Sequence, residues 1–171
     1  MTEEALFKFT EDQGCVFLKN YAFIDGNNLF YGVKSLGFVM DFAKFRKFLF
    51  YKHKVVKAYY FIGLIKGNEP LYNRLTSAGY DLVFKETTKT KTGYKGNCDA
   101  ELVLFAMKEL KNYQKAVIVS SDGDFRCLVE YLEELNKLEN VIGVKNNFSH
   151  LLAKATTKIT FLDNIRHKVK K

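Results

Sequence analysis

A chain of 171 residues with 47% hydrophobic content can bury a real core, which excludes a globally disordered chain and fits one domain. Its formal charge of +8, from 27 Lys+Arg against 19 Asp+Glu, favours a polyanionic partner, because each neutralised phosphate releases condensed counterions. Cys15, Cys98 and Cys127 are odd in number and lack C-x-x-C spacing, which argues against a disulfide framework or zinc knuckle and fits a reducing compartment.

Taken in order, Met1 to Glu4 is acidic where a signal peptide would be basic, and no apolar run is long enough to span a bilayer. A cytoplasmic protein without membrane attachment is expected. Val16 to Leu18 and Tyr21 to Ile24 read as strand, stopped by the turn signal Asp25-Gly26-Asn27-Asn28. Asp41 is placed to cap a helix reaching about Tyr51, with Phe42, Phe45, Phe48 and Leu49 at helical spacing. Val55 to Ile65 is a second strand, Glu69 to Ser77 a short helix closed by Gly79, and Tyr80 to Phe84 a third strand. Lys85 to Gly96, rich in Lys and Thr, reads as a mobile loop. Asp99 to Asn112 carries Leu102, Phe105, Ala106 and Leu110 on one face of a helix. Ala116 to Val119 is a buried-type strand, broken by Ser120-Ser121-Asp122-Gly123-Asp124 before a helix from Phe125 to Leu135. A strand at Val141 to Val144, a short helix at Ser149 to Lys154, an apolar segment at Ile159 to Leu162 and a basic tail from Arg166 complete the chain.

Strands alternating with helices imply right-handed crossovers and a parallel α/β sheet with helices on both faces. The expectation is one domain over residues 1–171, with its core at about 16–162 and strand order 3-2-1-4-5. Ligands in such sheets sit beyond the carboxyl ends of the strands, where the order reverses. That geometry would bring Asp25, Asp122 and Asp124 together, with Asp99 a fourth candidate. Glu101 points roughly away from Asp99 on their helix. Clustered carboxylates repel unless a cation lies between them, and Mg²⁺ takes such oxygen ligands along with water and phosphate oxygens. Each acid also has a plainer use: Asp25 shaping a turn, and Asp99, Asp122 or Asp124 capping a helix. Ser120 and Ser121 can add hydroxyls, although serine after a strand is often only a cap.

The motifs Phe23-Ile24-Asp25-Gly26-Asn27-Asn28, Lys95-Gly96-Asn97-Cys98-Asp99 and Val119-Ser120-Ser121-Asp122-Gly123-Asp124-Phe125 resemble those of NYN domains. They are most similar to the LabA-like branch of the PIN-like nuclease superfamily, over about Tyr21 to Leu162, with Ser149 and Leu152 included. The resemblance implies a Rossmann-like sheet, a pocket binding Mg²⁺ or Mn²⁺, and ribonuclease activity. It assigns metal binding and catalysis to Asp25, Asp99, Asp122 and Asp124. Asn28 matches the family's polar position after the first aspartate, and Ser120 its hydroxyl before the paired acids. Where many NYN domains carry another acid further along the helix after Asp99, this chain has Phe105.

Lys85, Lys89, Lys91 and Lys95 line the loop leading into Asp99, where lysines can fix a phosphate backbone and Tyr94 can stack on an unpaired base. The charges at Lys44, Arg46, Lys47, Lys52, His53 and Lys54 scatter around their helix and read as a solvated face. His53, His150 and His167 have no spacing that supports nucleophilic catalysis, and Cys98 reads as a half-buried structural thiol. The functional expectation is therefore metal-dependent cleavage of RNA, single-stranded by preference, with self-association left open. A silent RNA-binding adaptor and a small-molecule phosphohydrolase are the alternatives.

Overall fold

Alternation along the central strands decides the layering. In the computed structural model, which describes residues 7–8, 16–17, 19–90, 93–95 and 97–171, successive strand residues enter opposite cores. The elements in chain order are β1 (Phe7–Lys8), β2 (Val16–Phe17), β3 (Asn20–Asp25), α1 (Gly26–Ser35), α2 (Phe42–His53) and β4 (Val55–Leu64). Then come α3 (Glu69–Ser77), β5 (Asp81–Glu86), β6 (Thr88–Thr90), β7 (Gly93–Lys95), α4 (Asp99–Lys108) and β8 (Ala116–Val119). The chain closes with α5 (Arg126–Glu134), β9 (Leu138–Gly143), α6 (His150–Ala155), β10 (Ile159–Phe161) and α7 (Leu162–Val169).

The main sheet has six strands in the order β10-β9-β8-β3-β4-β5, all parallel. Counted along the chain this is 3-2-1-4-5-6: the expected order, extended by the segment at Ile159. Ala22, Ile24, Tyr60, Ile62, Val117 and Val119 face one core, closed by Leu29, Val33, Phe45, Leu49, Leu75 and Ile165 from the helices. Phe23, Tyr59, Phe61 and Ile118 face the other, closed by Leu102, Ala106, Leu128, Leu132 and Leu152. Phe23 and Phe45 are fully buried, and cutting either to alanine would cost about 3–5 kcal/mol.

Local chemistry sets the boundaries. Asp41 accepts a hydrogen bond from the Lys44 amide at 3.0 Å and starts α2, which Lys54 ends in the left-handed region at φ 56. Pro70 occupies the first turn of α3, and Gly79 at φ +88 releases the chain into β5. Two expectations are corrected. Asp25 to Asn28 does not stop the chain in a turn; Asp25 caps α1, and Leu29 and Val33 recur one helical turn apart on its buried face. The Lys/Thr segment is not a loop throughout: Lys85 and Glu86 extend β5, and β6 pairs antiparallel with β7. The basic tail is structured, since α7 includes Arg166 to Lys168 and Met40 bridges Lys170. Val16 and Phe17 pair with β1 rather than joining the main sheet. Met1 to Glu4, Cys15, Leu18, Lys91, Thr92 and Gly96 lie outside the described residues.

The charges around α2 are also less idle than a solvated face. Arg46 donates to the carbonyls of Gly79, Val55 and Val56 at 3.0, 3.0 and 2.8 Å, tying α2 to β4 and the α3–β5 turn. His53 is buried, its Nδ1 3.4 Å from Glu139 Oε1.

Candidate functional site

β3 and β8 are neighbours, and the segments leaving their carboxyl ends meet where the sheet changes direction. Asp25 is the last residue of β3 and the N-cap of α1, so its side chain is fixed at the strand–helix corner. Its Oδ1 accepts from the Asn28 amide at 3.0 Å, and Ser120 Oγ lies 3.3 Å from its Oδ2. Ser120 Oγ also accepts from the Asp122 amide at 3.1 Å, so one hydroxyl couples the first motif to the third. Asn28 Oδ1 accepts from the Ser121 amide at 2.9 Å, a second link between the same two segments. Ser121 Oγ accepts from the Val144 amide at 2.9 Å, and the Ser121 carbonyl accepts from Ser149 N. Both serines are buried. The structure therefore uses Asn28, Ser120 and Ser121 to position backbone and carboxylates.

Beyond this corner, Asp122 caps a short 3₁₀ turn at Gly123–Phe125, accepting from the Asp124 amide at 3.0 Å. A Cβ at Gly123 would lie 2.4 Å from Ser149 Oγ, so a larger residue there would force that side chain to shift. Asp99 enters from the other side as the first residue of α4, held by Asn97, whose Nδ2 donates to Asp99 Oδ2 at 2.5 Å. One carboxylate oxygen from each of Asp99, Asp122 and Asp124 lies within 4.8 Å of the others. Asp25, Asp99 and Asp122 line a common cavity of about 270 Å³ with Asn27, Asn28, Tyr31, Asn97, Ser121 and Asn147, while Asp124 stands outside its lining.

Electrostatics mark the cavity as unbalanced. Burial raises the Asp25 carboxyl above its ordinary range, and Asp99 and Asp122 push it further, against the pull of the Asn28 amide and Ser120. Asp99 is raised too, first by burial, then by Asp122, Asp124 and Glu101, while its bond from Asn97 pulls it down. The ion pairs among the described residues are His53–Glu139, Lys85–Glu101, Arg126–Glu130 and Lys158–Glu133, so none neutralises these four aspartates. Such a set of hard, uncompensated oxygen donors fits a divalent cation.

The neighbours narrow the chemistry. Lys85 is bonded to Glu101, which ties β5 to α4 and commits both charges to each other. Phe105, in the place of an additional acid, packs edge-on against Tyr59 and Phe61 at 5.5 and 5.6 Å. Cys98 is 6% exposed rather than half-buried, and burial beside Asp25 and Glu101 pushes its thiol up to about 11, so it stays protonated. Of the expected RNA-contacting residues, Lys89 and Tyr94 are paired across the β6–β7 ribbon, and Lys95 pairs with Thr88. Asn27, Tyr31 and Asn147 line the cavity and were missed by the sequence reading. Asn147 was findable, because it follows the carboxyl end of β9 as the acidic turns follow β3 and β8.

No helix among the described residues is long and apolar enough to cross a membrane. The fold is similar to a crystal structure of a protein of unknown function from Vibrio parahaemolyticus, with TM-score 0.72 at 22% identity, over 85% of this chain and 93% of that one. In sequence, the chain is 26% identical over 160 residues to the low amplitude and bright protein LabA of Synechococcus elongatus, covering 87% of this chain and 86% of LabA. The family model of the NYN domain matches residues 20–163, from β3 through the acidic corner to the start of α7, and the chain belongs to that family.

Proposed function

We propose that this chain is a cytoplasmic, metal-dependent ribonuclease cleaving RNA phosphodiesters, with single-stranded RNA the preferred substrate. The observation that carries this reading is the approach of Asp99, Asp122 and Asp124 within 4.8 Å, beside an acidic cavity that Asp25, Asp99 and Asp122 line with no side-chain cation among them. Asp25, Asp99, Asp122 and Asp124 would hold Mg²⁺ or Mn²⁺, which, when bound, supplies an activated water and offsets charge on the leaving oxygen. Asn28 and Ser120 lock Asp25 in place, and Ser121 fixes the β8 corner against Val144. Lys89, Lys91 and Lys95, with Tyr94, supply contacts to phosphate and base on the strand entering beside Asp99.

The test is incubation of purified protein with labelled single-stranded RNA in Mn²⁺, Mg²⁺ or EDTA. Cleavage that requires the metal and disappears in Asp25→Asn supports the reading, and that variant should still bind RNA. The place of Phe105 favours one alternative: a domain that binds RNA without cutting it, for which uncut RNA in both metals would be the sign. Hydrolysis of mononucleotides in preference to RNA would point instead to a small-molecule phosphohydrolase.

A further inference from the structure

Beside the acidic cavity, a second and larger hollow of about 710 Å³ opens between α1, the start of α2 and α3. Its volume is that of a small-molecule site, typically ~300–1,000 Å³. Tyr60 and Ile62 of β4 form its floor, and Phe30, Phe38, Phe42 and Leu71 its sides. Two features set it apart from an ordinary surface crease. It adjoins the aspartate cavity, since Asn27 and Tyr31 line both. Its charge is of opposite sign: Lys34, Arg74 and Lys171 are on its lining, and no carboxylate side chain is. Phe30 is 57% exposed and Tyr31 65%, their rings in edge contact at 5.3 Å, so flat apolar faces stand open to water on the groove, and Tyr31 borders the aspartate cavity as well.

We propose that this groove is a nucleobase subsite, taking the unpaired base next to the phosphate presented to the aspartates. The inference rests on the ribonuclease reading and names the part of the substrate that the reading leaves unplaced. An unpaired nucleotide brings an aromatic face for Phe30 and Tyr31 and a phosphate for the cationic rim, so both properties of the groove are used. A second copy of the chain would match the apolar walls but bring its own charge of +8 towards the same cations. Stacking tolerates any base, so the subsite fixes the position of the strand relative to Asp99 and Asp122 more than its sequence.

The full chain contains no Trp, so Phe30→Trp places a single indole at the junction. In EDTA, where cleavage does not intervene, a short oligouridylate should quench that indole. Moving one abasic residue along the oligonucleotide should weaken wild-type binding by about 5- to 50-fold at one position only, the scale of a lost stacking contact. Phe30→Ala with Val39→Asp, both at exposed positions, should bind the intact oligonucleotide about as weakly and lose the abasic effect. Thermal melting of each variant with Mn²⁺ reports fold and metal binding independently. RNA that binds with a flat abasic scan and an unquenched indole would overturn the subsite and leave the ribonuclease reading standing. Absence of any RNA binding would overturn both. A dimer that Val39→Asp dissociates would assign the groove to a second copy and overturn the proposal.

Discussion

The two ends of the main sheet treat their partly buried carboxyl groups in opposite ways. At the amino end, Glu139 lies against His53, and the hydrogen bond with that ring holds its carboxyl below the ordinary range. Asn20, also buried there, donates to the His53 carbonyl at 2.8 Å and accepts from the Lys115 amide at 3.1 Å, closing the gap between β3, α2 and the start of β8. At the carboxyl end, Asp25 and Asp99 gather with Asp122 and without a cation, and both are raised. The helix-starting corners that bring them together also fix them, so repulsion cannot be relieved by side chains swinging away. One end is arranged for stability; the other carries a charge imbalance that a divalent ion would offset.

The strongest way to break this contrast is Asp122→Asn. Outer-shell partners of a metal typically cost about 10–100-fold when removed, so loss of a direct ligand should lower RNA cleavage by about a hundredfold or more. The melting shift produced by Mn²⁺ should vanish with it. An unchanged shift would remove Asp122 from the site.

At the opposite end, Asn20→Ala should leave metal binding intact and cost about 2 kcal/mol of stability in urea denaturation. The reason is that it strands a carbonyl and an amide in the interior. A loss as small as that of a surface substitution would show that water replaces the side chain.

Acidity sharpens the comparison further. A raised carboxyl stabilises the fold below its ordinary value of 3.8, and that contribution is lost as the pH rises through its folded value. Asp25→Asn, which keeps the acceptor for the Asn28 amide, should therefore melt higher than wild type in EDTA at neutral pH. The difference should close below the carboxylate range. Glu139 runs the other way: its contribution is present above 4.5 and lost as the pH falls through its lowered folded value. Melting temperatures of wild type, Asp25→Asn and Glu139→Gln across the acid range separate the two ends. Parallel curves would mean that neither end is coupled to protons as described.

The smallest effect is expected at the ribbon that leads into Asp99. Alanine at Lys89, Lys91 and Lys95 should weaken binding of different RNA sequences alike and reduce the salt slope by up to about two units, at ~0.7 per lost single-strand contact. The Mn²⁺ melting shift should stay. A wild-type slope in the triple variant would place the phosphate contacts elsewhere.

Much of this arrangement was legible in the residues. The apolar strands at Tyr21–Ile24 and Ala116–Val119, each followed by acids, gave both the parallel sheet and the meeting of Asp25 with Asp122. What misled was chemistry shared between structures. Asp-Gly-Asn-Asn suits a turn, yet an aspartate ahead of Gly and Asn equally caps a helix, and only the later Leu29 and Val33 reveal α1. Lysines among threonines look solvated, yet threonine also favours strands, and β6 pairs with β7. The apolar groove was out of reach, because its floor and sides come from residues far apart in the chain and no local period marks them.

The strand order fixes how the molecule meets its own copies. One border of the sheet is β10, only three residues long, too little backbone to template a further strand. The other, β5, flanks its apolar Leu82-Val83-Phe84 with Asp81 at one end and Lys85 and Glu86 at the other, and leads into the β6–β7 ribbon. A chain adding itself to either border would find few free amides or a strand bracketed by charges of both signs. Resistance to edge-to-edge aggregation is thus built into the two outermost strands, and the acidic corner lies at the sheet's middle, between β8 and β3, with three strands on either side.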